Sequence, residues 1–221
     1  MKKSNRKKQR VKARKRKATS GRQKSAAVIT CCLLLITGIL CAIIAGAHES
    51  TKKPVLFETS EKTVKGIDVS SHNGEIDWNT VAQNTDFVII RVGYRGYGTG
   101  EITQDANFEQ NIKGATDAGI RTGVYFYSQA TTEQEAREEA EFTLKAIANY
   151  NISLPVFIDF EYAHGSNGEL TGRLYDANLS SAEAAKIINA FCGRVSRRGK
   201  FSGVYANSSV LNKSIKTSAL N

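Results

Sequence analysis

Two acids end the apolar stretch LPVFIDFEY, which spans residues 154–162. Its aliphatic and aromatic residues predict a short, buried β-strand. Because successive side chains of a strand point to opposite faces, Asp159 and Glu161 share one face, while Ile158 and Phe160 lie on the other. Desolvation and mutual repulsion destabilise two such carboxylates, so the pair indicates either a metal site or acid–base chemistry.

Strands and helices alternate around this stretch from residue 65 onward. Short apolar segments predict strands at residues 66–70, 86–92, 121–127, 155–161 and 201–206. Capped, amphipathic segments predict helices at residues 78–83, 105–118, 132–147 and 180–197. A Gly/Tyr loop is expected at residues 93–98, and it lacks the Lys-Ser/Thr pair of a phosphate-binding loop. The predicted fold class is α/β with a parallel sheet, and polar residues at several strand ends favour a β/α barrel.

The basic residues are concentrated at the start of the chain. Residues 1–24 contain 13 of the 31 Lys and Arg residues and no Asp or Glu, which leaves 18 basic and 21 acidic residues in the remainder. The formal charge of +10 therefore belongs to a tail, and we predict no nucleic-acid partner for the folded part. We interpret residues 1–25 as a basic cytoplasmic tail.

An uncharged apolar segment follows this tail at residues 26–47. It is long enough to cross the hydrocarbon core of a membrane as one transmembrane helix. The basic tail predicts a cytoplasmic N-terminus and an extracellular remainder, with residues 48–64 as a linker. Cleavage near Ala47, which would release a secreted protein, is the alternative, because Ala45-Gly46-Ala47 has the small residues of a signal-peptidase site.

Asp68 ends the first predicted strand and is expected at the same mouth as Asp159 and Glu161. Three acids suggest either a divalent metal or glycoside cleavage. His72 and His164 have no recognisable metal-ligand spacing, although magnesium requires only oxygen ligands and stays open. Aromatic rings offer flat apolar faces to sugars, which favours glycoside cleavage. The tyrosines at neighbouring strand ends are Tyr94, Tyr125, Tyr127 and Tyr205.

Four motifs occur in the order and spacing of a known family. They are GIDVS at 66–70 with IDW at 76–78, residues 105–108 with Asn111, GVYFY at 123–127, and DFE at 159–161. Residues 65–207 thereby resemble glycosyl hydrolase family 25, the lysozymes of the Chalaropsis type. The resemblance implies an irregular TIM-like β/α barrel that hydrolyses the β-1,4 bond between N-acetylmuramic acid and N-acetylglucosamine in peptidoglycan. It implies no metal and no organic cofactor.

The resemblance also implies roles for individual residues. Glu161 is the general acid, and Asp159 stabilises the transition state, either as nucleophile or by orienting the acetamido group of the substrate. Asp68 orients substrate or water, while Tyr94, Tyr125 and Tyr127 line the groove. Tyr205 is expected to contact substrate as well. For one of Tyr125 and Tyr127, ordinary packing inside the barrel is the expected role.

The C-terminus departs from the family pattern. Family members continue past the fifth strand with strands that close the barrel, and residues 209–221 show none. We therefore expect an incomplete domain at residues 65–221. The predicted function is a membrane-anchored peptidoglycan hydrolase that faces the cell wall and works with an assembly or secretion machinery. A truncated, inactive protein that binds peptidoglycan or acts as a scaffold is the alternative.

Overall fold

A parallel β-sheet with helices between its strands forms the part of the chain that the computed structural model describes, residues 63–221. The predicted cytoplasmic tail (1–25), the predicted transmembrane helix (26–47) and nearly all of the predicted linker (48–64) lie outside these residues. None of the helices in residues 63–221 has the length and apolar character needed to span a membrane.

The strands form one large sheet and one small hairpin. In chain order they are β1 (Gly66–Val69), β2 (Phe87–Arg95), β3 (Ile102–Gln104), β4 (Arg121–Ser128), β5 (Val156–Phe160), β6 (Ala163–His164), β7 (Leu170–Thr171) and β8 (Ser202–Tyr205). The large sheet has the parallel order β1-β2-β4-β5-β8, and β3 pairs antiparallel with β2. Strands β6 and β7 pair antiparallel with each other directly after β5. The five predicted parallel strands are thus confirmed.

The helices connect consecutive strands of the large sheet and extend past its last strand. They are α1 (Trp78–Ala82), α2 (Phe108–Asp117), α3 (Glu133–Ala146), α4 (Arg173–Asp176), α5 (Ser181–Ser196) and α6 (Ser208–Lys213). Short 3-10 turns follow β1 at Ser71–Asn73 and follow α6 at Thr217–Ala219. The C-terminal segment after β8 is therefore helical, in agreement with the absence of a predicted strand there.

Capping side chains define the starts of two helices as predicted. Asp77 accepts hydrogen bonds from the backbone N–H groups of Asn79 and Thr80, at 3.1 and 3.3 Å, and begins α1. Ser180 and Glu183 make both hydrogen bonds of a capping box at the start of α5. These bonds satisfy amide groups that have no partner inside the helix.

The hydrophobic core lies between one face of the large sheet and its helices. The strand residues on this face are fully buried, and they include Val88, Ile90, Val124, Phe126 and Ile158. Helices α2, α3 and α5 pack on them with Phe108, Ile112, Ala140, Ile188 and Phe191. The alternate strand residues, among them Ile89, Tyr125 and Phe157, are half-buried on the opposite face. Placing the core on one face leaves the other face for a site.

Strand β2 is longer than predicted because β3 folds back against it. Gly93 and Arg95 belong to β2 and pair with β3, so the loop predicted at 93–98 is wrong for its first half. A Cβ atom on Gly93 would lie 2.5 Å from the carbonyl oxygen of Thr103, so this pairing requires glycine. Pairing with β3 on one side and with β4 as far as Tyr94 on the other therefore extends β2.

The edges of the large sheet are β1 and β8. Strand β1 pairs with β2, β8 pairs with β5, and no strand within residues 63–221 joins the two edges. The parallel α/β sheet is confirmed, while the irregular β/α barrel without its closing strands stays a prediction.

Candidate active site

A cavity of about 370 Å³ lies on the face of the sheet that is not covered by the core helices. It is lined by five residues that the sequence analysis predicts for the site, namely Asp68, Tyr125, Asp159, Glu161 and Tyr205. The apolar part of the lining comes from Ile67, Ile89, Phe157 and Val204. Because Ile89 belongs to β2, all five parallel strands contribute to this one site.

Phe157 keeps its place in this cavity because its neighbour on β8 is glycine. Phe157 and Gly203 are register partners in the parallel β5–β8 pair. A Cβ atom on Gly203 would lie 2.4 Å from the ring of Phe157, which is far below a normal contact distance. Any larger residue at 203 would push the ring away from its position beside the acids.

Asp159 is a buried acid in the middle of the sheet. It lies in register between Tyr127 of β4 and Tyr205 of β8, and it is only 8% exposed. Its Oδ1 atom has no hydrogen-bond partner among the described residues. Burial raises the pKa of Asp159 to about 8, the charges of Glu161 and Asp68 add to this, and Arg91 opposes it. In the free protein Asp159 therefore holds a proton at neutral pH.

Glu161 follows the end of β5, where its side chain is half-buried and lines the same cavity. Its backbone carbonyl oxygen accepts a hydrogen bond of 2.7 Å from Nε2 of Gln129, a fully buried side chain. Gln129 thus fixes the backbone that carries the predicted acid. Gln129 could not be predicted as part of the site, because it lies 32 residues from Glu161 along the chain.

The tyrosines differ in how closely they approach the acids. Burial raises the pKa values of both Tyr125 and Tyr127 to about 12, and the charge of Asp159 contributes to both. Glu161 is the main cause of the raised pKa of Tyr205, a side chain that is 56% exposed. Tyr125 and Tyr205 line the cavity together with the acids, while Tyr127 is the register partner of Asp159 and is not part of the lining.

Tyr94 stands apart from the other predicted tyrosines. The Arg91 guanidinium lies 5.5 Å from the centre of the Tyr94 ring, and Tyr94 is not part of the cavity lining. Arg91 in turn is bound by Asp105, a pair that the sequence analysis does not assign to the site. Asp105 belongs to the motif at residues 105–108, and this motif is the sequence feature by which the acid could have been predicted.

The arrangement supplies two neighbouring carboxyl groups with aromatic rings beside them, and burial raises the pKa of one of them, Asp159, to about 8. Such a set can protonate a leaving oxygen and support positive charge at a sugar carbon, which is the chemistry of glycoside hydrolases. Within residues 63–221, no group of three or more His, Cys, Asp or Glu side chains could hold a metal ion.

Comparison with known proteins identifies the family. The model of the family described as "Glycosyl hydrolases family 25" matches residues 67–221. The match spans more than half of the chain, so the chain belongs to this family of glycosyl hydrolases.

Individual relatives agree with this assignment. The autolytic lysozyme of Clostridium acetobutylicum is 28% identical over 104 residues, which are 47% of this chain and 30% of the relative. The modular autolysin LytC of Streptococcus pneumoniae matches with a TM-score of 0.61 and 31% identity, over 74% of this chain and 37% of that one. A family 25 glycosyl hydrolase from Bacillus anthracis, 22% identical, shares the fold with a TM-score of 0.55 over 72% of this chain and 68% of its own. This chain thus spans about a third of the lysozyme and of the autolysin.

Proposed function

We propose that this protein hydrolyses peptidoglycan at the β-1,4 bond between N-acetylmuramic acid and N-acetylglucosamine. The observation that carries the proposal is the placement of Asp159 and Glu161 side by side in one cavity at the end of β5. A relative supports the substrate class, since the S. pneumoniae autolysin was solved in complex with a synthetic peptidoglycan ligand and is 30% identical to this chain.

In the proposed reaction the two carboxyl groups share one proton. In the free protein the proton lies on Asp159, because burial raises the pKa of this group to about 8. Transfer to Glu161 in the substrate complex would allow Glu161 to protonate the leaving oxygen. It would also leave Asp159 as a carboxylate that supports the developing positive charge, either as nucleophile or by orienting the acetamido group. Asp68, across the cavity on β1, would orient substrate or water.

The cellular setting belongs to the same proposal. An uncharged segment at residues 26–47 after a basic tail supports a single-pass membrane anchor with the hydrolase domain on the wall side. Cleavage near Ala47 and secretion is the alternative. A wall-facing, anchored hydrolase would open the glycan locally, which suits work beside a cell-wall assembly or secretion machinery. We also propose that the sheet is the open part of a β/α barrel, since β1 and β8 line one cavity.

The test uses the purified full chain and isolated peptidoglycan. Borohydride reduction of the products identifies the new reducing end, and we expect it to be N-acetylmuramic acid. Glu161→Gln should lower the rate by about 10²- to 10⁴-fold, because it removes the general acid and keeps the shape of the side chain. Glu133→Gln, at an exposed helix residue, is the matched control and should leave the rate unchanged. Equal rates for the wild type and Glu161→Gln would refute the proposed role of Glu161.

Peptidoglycan binding without turnover is the second candidate function. The exposure of Asp68 and of Tyr205, at the two edges of the sheet, favours it, because a hydrolase excludes water from the reacting groups. This candidate predicts that the chain sediments with insoluble peptidoglycan while no reducing ends appear.

A further inference from the structure

The segment from Glu161 to Arg173 leaves the large sheet. Glu161 follows β5, the β6–β7 hairpin comes next, and Arg173 begins α4. Both ends of this segment are bound to the β4–α3 loop, residues 129–132, which connects β4 to α3. The position of Glu161 therefore depends on this loop as well as on the strand before it.

Gln129 binds the first end of the segment through its side chain. Its Nε2 atom donates hydrogen bonds to the backbone oxygen of Glu161 at 2.7 Å and to that of Ser128 at 3.0 Å. The residue is fully buried, and its Oε1 atom has no hydrogen-bond partner among the described residues. Because both acceptors are carbonyl oxygens, the amide group cannot turn over without losing both bonds. The side chain of Gln129 thus holds Glu161 in one orientation only.

Arg173 binds the same loop from the second end of the segment. Its Nη1 atom donates to the backbone oxygen of Gln129 at 3.3 Å, and its Nη2 atom donates to Oε1 of Glu135 at 2.6 Å. Oε2 of Glu135 accepts hydrogen bonds from the backbone N–H and from the hydroxyl of Thr131, at 2.8 and 3.0 Å. The side chains of Arg173 and Glu135 are only 25% and 21% exposed. Arg173 therefore fixes the loop at Gln129 directly and at Thr131 through Glu135.

Gln129 connects the two ends, since its side chain binds Glu161 and its backbone oxygen binds Arg173. We propose that Arg173 is a positioning residue for Glu161, because it holds the β4–α3 loop in the place from which Gln129 binds the backbone of the acid. Arg173 is not part of the cavity lining, so it acts through Gln129 and not on the substrate. This role deepens the proposed function and rests on it.

The end of β5 explains why Glu161 requires such support. Phe160 is the last residue of β5, and its register partner Ser128 is the last residue of β4. Glu161 lies one residue further along, where its carbonyl oxygen is bound by a side chain. A displacement of about 1 Å at a reacting group can reduce a rate by about 10²-fold. A loosened β4–α3 loop should therefore slow the reaction while the cavity itself is kept.

The experiment measures kcat and KM of the full chain on soluble peptidoglycan fragments, below the lowest Tm of the set. Arg173→Met removes both side-chain hydrogen bonds, and we expect kcat to fall by about 10- to 100-fold. KM should change by less than about twofold, because the cavity lining is unchanged. Arg173→Lys keeps a charge beside Glu135 and should recover part of the rate. Arg137→Met is the matched control, since it removes a surface ion pair with Glu133 on the same helix, and it should leave both constants unchanged.

A double variant tests whether the effect passes through Gln129. Gln129→Met alone should lower kcat at least as much as Arg173→Met does. The double variant should lose no more than the larger of the two single losses, because both substitutions remove the same support from Glu161. Losses that multiply would overturn the proposed path. If Arg173→Met does not fold, Glu135→Gln replaces it, since it weakens the ion pair from the other side.

Hydrogen exchange of the Gln129 side-chain amide, followed by ¹⁵N NMR, gives a readout that does not depend on activity. The buried amide should exchange at least about tenfold faster in Arg173→Met than in the wild type. Unchanged exchange, or an unchanged kcat in this variant of an active enzyme, would overturn the role of Arg173. An inactive wild type in which Arg173→Met still speeds the exchange would refute the proposed hydrolase function instead, and would leave the support of residue 161 by Arg173 confirmed.

Discussion

Two buried carboxyl groups on opposite faces of the sheet show how differently this fold uses an acid. Glu139 of α3 is fully buried on the helix side, where it accepts hydrogen bonds from Arg95 Nε at 2.8 Å and from Ser128 Oγ at 2.6 Å. Asp159 of β5 is 8% exposed on the cavity side, and its Oδ1 has no partner among the described residues. Burial raises both pKa values, to about 7 for Glu139 and to about 8 for Asp159.

The difference lies in the partners. The guanidinium group of Arg95 bonds to Glu139 and also to the backbone oxygens of Gly100 and Glu135, so it connects β2, the following loop and α3. A buried acid with all its bonds made stabilises one conformation of the backbone. Asp159 has one carboxyl oxygen without a hydrogen-bond partner among the described residues, and it lies next to a cavity and two further acids. Such an acid is available to a ligand or to a proton.

Removal of Glu139 should have the largest effect on folding. Glu139→Ala leaves the buried Arg95 cation with only the exposed carboxylate of Glu138, 3.4 Å away. Breaking a buried ion pair reduces stability by about 3–5 kcal/mol. Urea unfolding followed by circular dichroism measures this change. A variant as stable as the wild type would show that the buried pair contributes nothing to the free energy of unfolding. Glu139 would then lack the structural role that distinguishes it from Asp159.

Ser128→Ala tests the same network with a smaller change. It removes the 2.6 Å hydrogen bond to the Glu139 carboxyl group and the 3.2 Å hydrogen bond that the hydroxyl accepts from the backbone N–H of Ala130, and it leaves Arg95 in place. We expect a loss of about 2 kcal/mol in the free energy of unfolding, since the acceptor is charged. Peptidoglycan hydrolysis below the unfolding temperature should stay at the level of the wild type. A large loss of activity at unchanged stability would instead connect Ser128 to the site.

The pH dependence of stability should isolate Asp159. Its pKa is raised from 3.8 to about 8 on folding, so the unfolded chain releases this proton first as the pH rises. The stability due to the protonated group is therefore fully present below about pH 4 and is lost by about pH 8. Asp159→Asn has no such proton, so the difference in unfolding free energy between wild type and variant should change by at most about 1.4 kcal/mol per pH unit.

Parallel unfolding curves from pH 4 to 9 for the wild type and Asp159→Asn provide the measurement. Other titrating groups, Glu139 among them, occur in both proteins and cancel in the difference. A difference that is independent of pH would mean that Asp159 titrates normally in the folded protein.

Local sequence was sufficient for the parts of the molecule that depend on neighbours along the chain. The alternation of side chains places Asp159 and Glu161 on the cavity side, with Ile158 and Phe160 buried in the core. The Ser180 capping box also forms as its spacing predicts. Each of these features follows from the geometry of a single strand or a single helix end.

Contacts between distant segments could not be predicted in this way. Arg91 meets Asp105 because β3 folds back on β2, and Gln129 reaches the backbone of Glu161 from the neighbouring strand. The β6–β7 hairpin is a different case, since Asn167-Gly168 in its turn is a strong local sequence signal for a hairpin. Gly168 has a φ of +84°, a value that favours glycine.

The most direct test compares two substitutions of the same kind, Glu161→Gln and Glu139→Gln, for both peptidoglycan hydrolysis and thermal unfolding. The predicted result is a crossed pattern. Glu161→Gln loses at least about 100-fold in rate at an unchanged Tm, while Glu139→Gln lowers the Tm and, below it, hydrolyses at the rate of the wild type. If Glu161→Gln keeps its rate while Glu139→Gln loses it, the acid on the cavity side is not the catalytic one, and the assignment of the active site is contradicted.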